Sequence, residues 1–171
     1  AIMLPDADPK AMAMGLFWGA FINMGQTCAC AKRLYVHESI FEPTVQALKE
    51  LAQAMPMGNG LEDGTVMGPI QNKMQYDKVV SLVDSAKAAG ATIVCGGQPK
   101  GGPGYFYPLT LVTGLKDGDR LVDEEQFGPV LPIIKYRDVD EAIASANRLD
   151  VGLGASVWST DVEQAKQVAS R

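Results

Sequence analysis

Segments with helical periodicity alternate with short runs of β-forming residues along most of this 171-residue chain. Helical patterns occupy 9–24, 41–54, 72–90 and 138–149, and strand-like runs occupy 31–37, 91–97, 130–137 and 154–160. Such alternation is typical of parallel strands, because each crossover between them needs a connection about as long as a helix. The pattern therefore predicts an α/β domain of three layers, in which helices cover both faces of a mostly parallel sheet.

Two of these segments make sharper predictions about burial. The segment 9–24 is apolar nearly all round, which indicates a helix that is buried on every side. Gly25 follows it at a position typical of a helix stop. The run 91–97, "ATIVCGG", predicts a buried strand.

Two local signals concern the ends of elements. Pro132 lies within the strand-like run 130–137, and its missing N–H predicts an edge strand or an irregular start. Thr160 is followed three residues later by Glu163, a spacing that predicts the cap of a last helix.

The composition fits one globular domain and argues against several classes of function. Hydrophobic residues make up 47% of the chain, enough for a core without a metal or disulfide. The net charge is -5 without a basic patch, so we expect no nucleic-acid partner. The sequence contains no run of 18 apolar residues, so we expect no membrane-spanning helix. The chain opens with "AIML" and stops at "QVASR" inside a helical pattern, so we expect a piece of a longer protein.

The cysteine content predicts a reduced protein without a metal site. The three cysteines are Cys28, Cys30 and Cys95, an odd number, and the first two are too close for an ordinary bridge. We therefore expect a cytoplasmic protein. A structural zinc site needs four ligands, and His37 is the only histidine, so we expect no metal.

The segment "NMGQTCACAKR" at 23–33, here called the cysteine segment, leaves two roles open for Cys28. It follows a helix end, so it should lie in a turn, where catalytic groups are common, and a thiolate attacks carbonyl carbon. The amides of Asn23 and Gln26 would then position substrate or water. The alternative is a structural cysteine, the commonest fate of a free thiol, and spacing alone favours it.

The position of Cys28 also raises an electrostatic difficulty. The C-terminal end of a helix is negative and disfavours a thiolate, so a reactive thiol needs a nearby cation or another helix N-terminus. Lys32 and Arg33 are the cations of the segment. Both should begin a strand, and strand alternation allows at most one of them to face the site.

The segment "DEEQFGPVLP" at 123–132, here called the carboxylate segment, also has two interpretations. The structural one is an exposed acidic turn that leads into a strand. The functional one uses a carboxylate to accept hydrogen bonds from sugar hydroxyls, with Phe127 as an apolar wall for a planar ring.

Taken in this order, "FINMGQTCACAKRLYV" and "EEQFGPVLP" resemble the cysteine motif and the Glu-x-Phe-Gly-Pro motif of the aldehyde dehydrogenase superfamily. Further similar stretches, such as "MGPI" and "GYFYPLTLV", extend the resemblance over the whole chain. The resemblance implies that Cys28 is the nucleophile and its N–H an oxyanion donor. It implies that Glu125 binds the nicotinamide ribose, that Phe127 contacts the nicotinamide, and that Cys30 is a neighbour without a role.

The resemblance also implies a reaction and a larger protein. An aldehyde is oxidised with NAD or NADP through a thiohemiacetal and a thioester on Cys28, and water then releases a carboxylic acid. The general-base glutamate, the Rossmann domain and the oligomerisation strand of the family have no counterpart in this sequence. We therefore expect residues 1–171 to form the catalytic domain of a homodimer or homotetramer, with little activity by itself.

Two alternatives stay open at this point. In acylating or phosphorylating relatives, coenzyme A or phosphate takes the acyl group in place of water. A domain that keeps the fold but serves only assembly would also show parts of these patterns.

Overall fold

The computed structural model describes all residues, 1–171. The strands are β1 Ile2–Met3, β2 Leu34–His37, β3 Thr92–Cys95, β4 Thr110–Thr113, β5 Val130–Tyr136 and β6 Val157–Trp158. The α-helices are α1 Pro9–Phe21, α2 Phe41–Ala54, α3 Lys73–Ala88, α4 Arg120–Asp123, α5 Val139–Asn147 and α6 Val162–Ala169. A short 3₁₀ helix covers Glu38–Ile40, and Ile22–Gly25 form a tight turn with left-handed residues inside it. None of these helices has the length and hydrophobicity needed to cross a bilayer.

The six strands form one sheet in the order β3-β4-β5-β2-β1-β6. Every neighbouring pair is parallel except β3 with β4, which is antiparallel. The predicted mostly parallel sheet is therefore confirmed. The sequence patterns missed β1, because two apolar residues are too few to show a strand period.

Side chains of the sheet alternate between two helical layers, which confirms the three-layer α/β prediction. In β2, Leu34 and Val36 belong to a core that includes residues of α1 and α2, whereas Tyr35 packs on the opposite face with residues of α5 and α6. A third core places α3 and α4 against β4 and β5. Both faces of the sheet are therefore covered by helices.

The helix α1 is buried on one face only, so the expectation of complete burial was wrong. The face toward α2 is buried, and the other face leaves Met14 48% and Trp18 37% exposed. The helix also ends earlier than the apolar pattern, at Phe21. The chain then turns through left-handed backbone to Gly25, whose φ is 68°, so the helix stops before the glycine and not at it as predicted.

The predicted positions of β3 and β5 in the sheet were both wrong. β3 pairs only with β4 and leaves Thr92 exposed, so it is an edge strand and not a buried one. β5, which contains Pro132, lies between β4 and β2, so the edge position predicted from the proline was wrong. Pairing of β5 with β2 begins at Ile133, and the missing N–H of Pro132 therefore falls at the start of that ladder.

The cap of α6 is Asp161, not Thr160 as predicted. The Asp161 carboxylate accepts hydrogen bonds from the N–H groups of Glu163 and Gln164 at 2.9 and 3.1 Å. The Thr160 hydroxyl donates instead to the carboxylate of Asp6, which is 154 residues away in sequence. Asp6 therefore ties the loop after β1 to the turn between β6 and α6.

Asp6 should make stability depend on pH in the acid range. Its carboxylate accepts hydrogen bonds from the Thr160 and Ser159 hydroxyls and from two backbone N–H groups. These bonds, the Thr160 hydroxyl above all, lower the pKa of Asp6 to about 2 from its ordinary 3.8. A pKa depressed by folding stabilises the protein above the unfolded value, and the stabilisation is lost as pH falls from about 4 to 2.

We expect Asp6→Asn to lower the free energy of unfolding by roughly 1 kcal/mol at pH 7, since the carboxylate is exposed. The difference from wild type should vanish near pH 2. Urea unfolding between pH 2 and 7 measures both quantities. The matched control is Asp63→Asn in an exposed loop, and an equal loss in that variant would contradict the role of Asp6.

Candidate active site

Cys28 lies on an exposed turn that follows a strained reversal of the chain. Asn23 and Met24 have φ of 50° and 60°, left-handed values that side chains with a Cβ rarely adopt. The Cys30 N–H then donates to the Thr27 carbonyl at 3.0 Å, which closes the turn that carries Cys28. Backbone strain of this kind persists only where the surrounding structure holds it, and it concentrates at functional sites.

The strain extends to the second segment. Phe127, with φ of 41°, is the only other non-glycine residue of the chain with positive φ. Every left-handed non-glycine residue therefore lies in the cysteine segment or the carboxylate segment.

The amides of the cysteine segment support the turn. The side chains of Asn23 and Gln26 each donate to the other's backbone carbonyl at 3.2 Å. The Gln26 side-chain oxygen also accepts from the N–H of Gln71, just after "MGPI", at 2.9 Å. These amide groups therefore hold the backbone of the turn, a role that the sequence did not suggest for them.

The two segments are in direct contact at a pair of glycines. A Cβ at Gly25 would lie 2.3 Å from the carbonyl oxygen of Gly128, far inside contact distance. A Cβ at Gly128 would lie 2.5 Å from Val79 on α3. Only residues without a side chain permit this approach.

A cavity of about 20 Å³, the size of one water molecule, remains between the segments and is lined by both.

The carboxylate segment is anchored on both sides of Glu125. Arg120 binds the Glu124 carboxylate through two nitrogens at 2.6 and 3.1 Å. Gln75 of α3 donates to the carbonyls of Gln126 and Phe127 at 2.6 and 3.2 Å. The exposed Glu125 carboxylate itself forms no hydrogen bond or ion pair. It is therefore a free acceptor on a fixed backbone.

Lys32 and Arg33 point in different directions. Lys32 donates to the Glu124 carbonyl and to the Gln126 side chain, whereas Arg33 donates to the Ser145 carbonyl on α5 at 3.1 Å. The prediction that at most one of them faces the site is confirmed, although both precede β2 and do not begin it. Burial lowers the pKa of Lys32 to about 8, with Arg33 adding to the effect and Glu125 opposing it.

The three thiols differ in their surroundings. Cys28 is exposed, and its backbone N–H has no acceptor within the chain. Cys30 and Cys95 are half-buried, each with its sulfur 3.7 Å from a backbone carbonyl. Burial raises the pKa of both half-buried thiols, which makes them poor nucleophiles. The geometry therefore singles out Cys28.

Sequence reasoning missed the residues that hold the site together. Gln75 lies on an ordinary amphipathic helix, and Gln126 occupies the unspecified position of the Glu-x-Phe-Gly-Pro pattern. Neither position carries a spacing signal, because the contacts that join the two segments and α3 are between residues 51 and 94 positions apart in sequence. His37 lies apart, with its Nδ1 2.8 Å from the hydroxyl of Ser39.

Comparison with known proteins identifies the family. The protein-family sequence model described as "Aldehyde dehydrogenase family" matches residues 1–171. The chain therefore belongs to the aldehyde dehydrogenase family.

Several relatives are similar over most of the chain. A probable aldehyde dehydrogenase of Pseudomonas sp is 43% identical over 89% of this chain, and human aldehyde dehydrogenase 1A1 is 38% identical over 99%. The chain spans 31% and 34% of these two proteins, about a third of their length. It spans 70% of the aldehyde dehydrogenase, cytosolic 2, of Macroscelides proboscideus, which is 39% identical over 99% of the chain.

Solved structures have the same fold. An aldehyde dehydrogenase from Bacillus cereus, described as an NAD+ complex, matches 99% of this chain with a TM-score of 0.94 and 36% identity. A mutant aldehyde dehydrogenase C from Pseudomonas syringae, described with NAD+ and octanal, matches 99% with a TM-score of 0.94 and 34% identity. The chain covers 34% and 36% of those two structures.

We expect Gly25→Ala to destabilise the domain by about 3 kcal/mol or more, since it adds left-handed strain to a clash with the Gly128 carbonyl. Chemical denaturation measures the loss. Gly19→Ala is the matched control, because that glycine lies in α1 with open space where the Cβ would be. The control should be neutral or slightly stabilising. Equal stability of the two variants would contradict the contact.

Proposed function

We propose that residues 1–171 are the catalytic domain of an NAD- or NADP-dependent aldehyde dehydrogenase and that Cys28 is its nucleophile. The observation that carries the proposal is the exposed Cys28 on a strained turn in contact with the segment of Glu125 and Phe127. Family membership supports the reaction class. Spacing alone favoured a structural cysteine, but exposure and the second segment favour a catalytic one.

The chain's own residues account for the first step. The Cys28 thiolate adds to the aldehyde carbon, a C–S bond forms, and the carbonyl oxygen takes the negative charge. The backbone N–H of Cys28 has no acceptor within the chain. Because it belongs to the same residue as the thiol, it can donate a hydrogen bond to that oxygen. The strained turn keeps both groups at the protein surface, where a substrate can reach them.

The later steps of the reaction also take place on Cys28. A bound nicotinamide supplies the acceptor for the hydride that leaves the substrate carbon, which leaves a thioester on Cys28. Water then adds to the thioester carbon, the C–S bond breaks, and Cys28 recovers its thiolate as the carboxylic acid departs. We assign the activation of this water to a glutamate of the whole enzyme outside residues 1–171.

The cofactor assignment rests on the carboxylate segment. Glu125 has a free carboxylate beside the cysteine turn, the type of group that accepts hydrogen bonds from ribose hydroxyls. The half-buried ring of Phe127 offers an apolar surface for a planar heterocycle. The NAD+ complexes among the structural neighbours support this assignment.

The rest of the proposal concerns the whole enzyme. We assign it a cytoplasmic location, since the chain has three free cysteines and one relative is named cytosolic. We also assign it a homodimeric or homotetrameric state. We assign it an aldehyde as substrate, and the octanal complex among the neighbouring structures supports that class of ligand. Because this chain spans about a third of its first relatives, activity is to be tested in the full-length enzyme.

In that enzyme we expect Cys28→Ala to reduce NAD(P)H formation from short aldehydes by at least roughly a thousandfold, as expected for a lost nucleophile. Cys30→Ala is the matched control and should keep most of the activity. Absorbance at the reduced cofactor's wavelength measures both rates. Undiminished turnover by Cys28→Ala would refute the proposal.

We expect Glu125→Gln to raise the KM for the cofactor about tenfold, because a charged acceptor is lost while the backbone stays anchored. Glu62→Gln is the matched control, since Glu62 is an exposed glutamate of the loop between α2 and α3 that forms no ion pair. Steady-state kinetics at saturating aldehyde separates KM from kcat. An unchanged cofactor KM in Glu125→Gln would remove Glu125 from the cofactor site.

A further inference from the structure

Lys32 and Gln126 form a reciprocal link between the two segments of the site. The Lys32 ammonium donates to the Gln126 side-chain oxygen at 3.0 Å and to the Glu124 carbonyl. The Gln126 amide nitrogen donates in return to the Lys32 carbonyl at 3.0 Å and to the Val130 carbonyl at 2.6 Å. Lys32 and Gln126 are 94 positions apart in sequence, and the stretch between them contains β2, α2, α3, β3, β4 and α4, so the link depends entirely on the fold.

The chemistry of this link differs from that of the surrounding core. Gln126 is only 4% exposed, and it is one of three polar residues in the buried set. A buried amide is costly unless its hydrogen bonds are made, and here both ends of the amide are used. Removing the Lys32 ammonium from water also costs free energy. Two apolar side chains at these positions would therefore stabilise the fold at least as well as this polar pair.

The position of the link in the chain indicates what it controls. Gln126 stands between Glu125 and Phe127, the two residues assigned to the cofactor, and Lys32 stands four residues after Cys28. Glu125, Gln126 and Phe127 line one small cavity together with residues of the cysteine segment. A shift of Gln126 therefore moves both of its neighbours relative to the cysteine turn.

We propose that Lys32 and Gln126 are positioning residues, which hold the 124–127 backbone so that Glu125 and Phe127 stay in register with the cysteine turn. This inference rests on the proposed function, because the groups that it positions are those assigned to the cofactor. The Lys32 ammonium is directed to Glu124 and Gln126 and makes no hydrogen bond to Cys28, so we assign the link to cofactor binding.

The test uses Lys32→Met in the full-length enzyme. This change removes the donor and keeps most of the aliphatic stem. We expect the cofactor KM to rise about tenfold, the effect of one lost charge-assisted hydrogen bond. The rate of Cys28 alkylation by iodoacetamide should stay at the wild-type value. Lys32→Arg restores a cationic donor and should recover most of the cofactor affinity.

Hydrogen exchange of the same enzyme without cofactor gives a second measurement that does not depend on activity. In Lys32→Met, amides of 124–128 should exchange about tenfold faster, since one anchor of the loop is gone. The interior of α3 should keep its wild-type protection. The matched control is Lys78→Met, because Lys78 is an exposed lysine of α3 that forms no hydrogen bond or ion pair.

The outcomes are distinguishable. Unchanged exchange at 124–128 together with an unchanged cofactor KM overturns the positioning role, and so does a Lys32→Met enzyme that no longer unfolds cooperatively. A slowed alkylation of Cys28 would overturn the claim that the link acts on the cofactor alone. If wild-type enzyme forms no NAD(P)H, the proposed function fails, and the exchange measurement still decides whether Lys32 holds the loop.

Discussion

The contact between Gly25 and Gly128 is the constraint on which the rest of the site depends. It brings together two backbone segments about a hundred residues apart, at a distance that no side chain would allow. The strained φ values of Asn23, Met24 and Phe127 lie on either side of this contact. Strain in these residues is tolerated because two outside groups hold the segments: the Gln71 N–H donates to the Gln26 side chain, and Gln75 donates to the Gln126 carbonyl.

Sheet topology explains why these two segments meet. The cysteine segment leads into β2 and the carboxylate segment leads into β5, and these strands are parallel neighbours at the middle of the sheet. Segments that precede adjacent parallel strands must emerge at the same edge of the sheet. The candidate site therefore lies at the amino ends of the strands within this domain, whereas open α/β sheets usually bind ligands at the carboxyl ends.

Local sequence predicted several elements well and others badly, for physical reasons that differ. The helix α3 has Val79, Leu82, Val83 and Ala86 buried, as its 3.6-residue period predicts, and this periodicity needs no knowledge of the fold. The strand β3 and the proline in β5 were placed wrongly, because edge or centre is a property of strand order and not of strand composition. The cap of α6 was placed one residue early, since the Thr160 hydroxyl has a stronger acceptor in the distant Asp6.

By itself, the sequence determined the class of fold, and its resemblance to a known family marked the cysteine segment and the carboxylate segment as candidates, with Cys28, Glu125 and Phe127. Hydrophobic periods and short motifs are local, so they can be found without coordinates. Only the tertiary structure decided that Cys28 is exposed while Cys30 is half-buried, that Glu125 is unpaired while Glu124 is bound, and that Lys32 engages Gln126. Each of these depends on which residue distant in sequence occupies the neighbouring space, and that is set by the order of the strands.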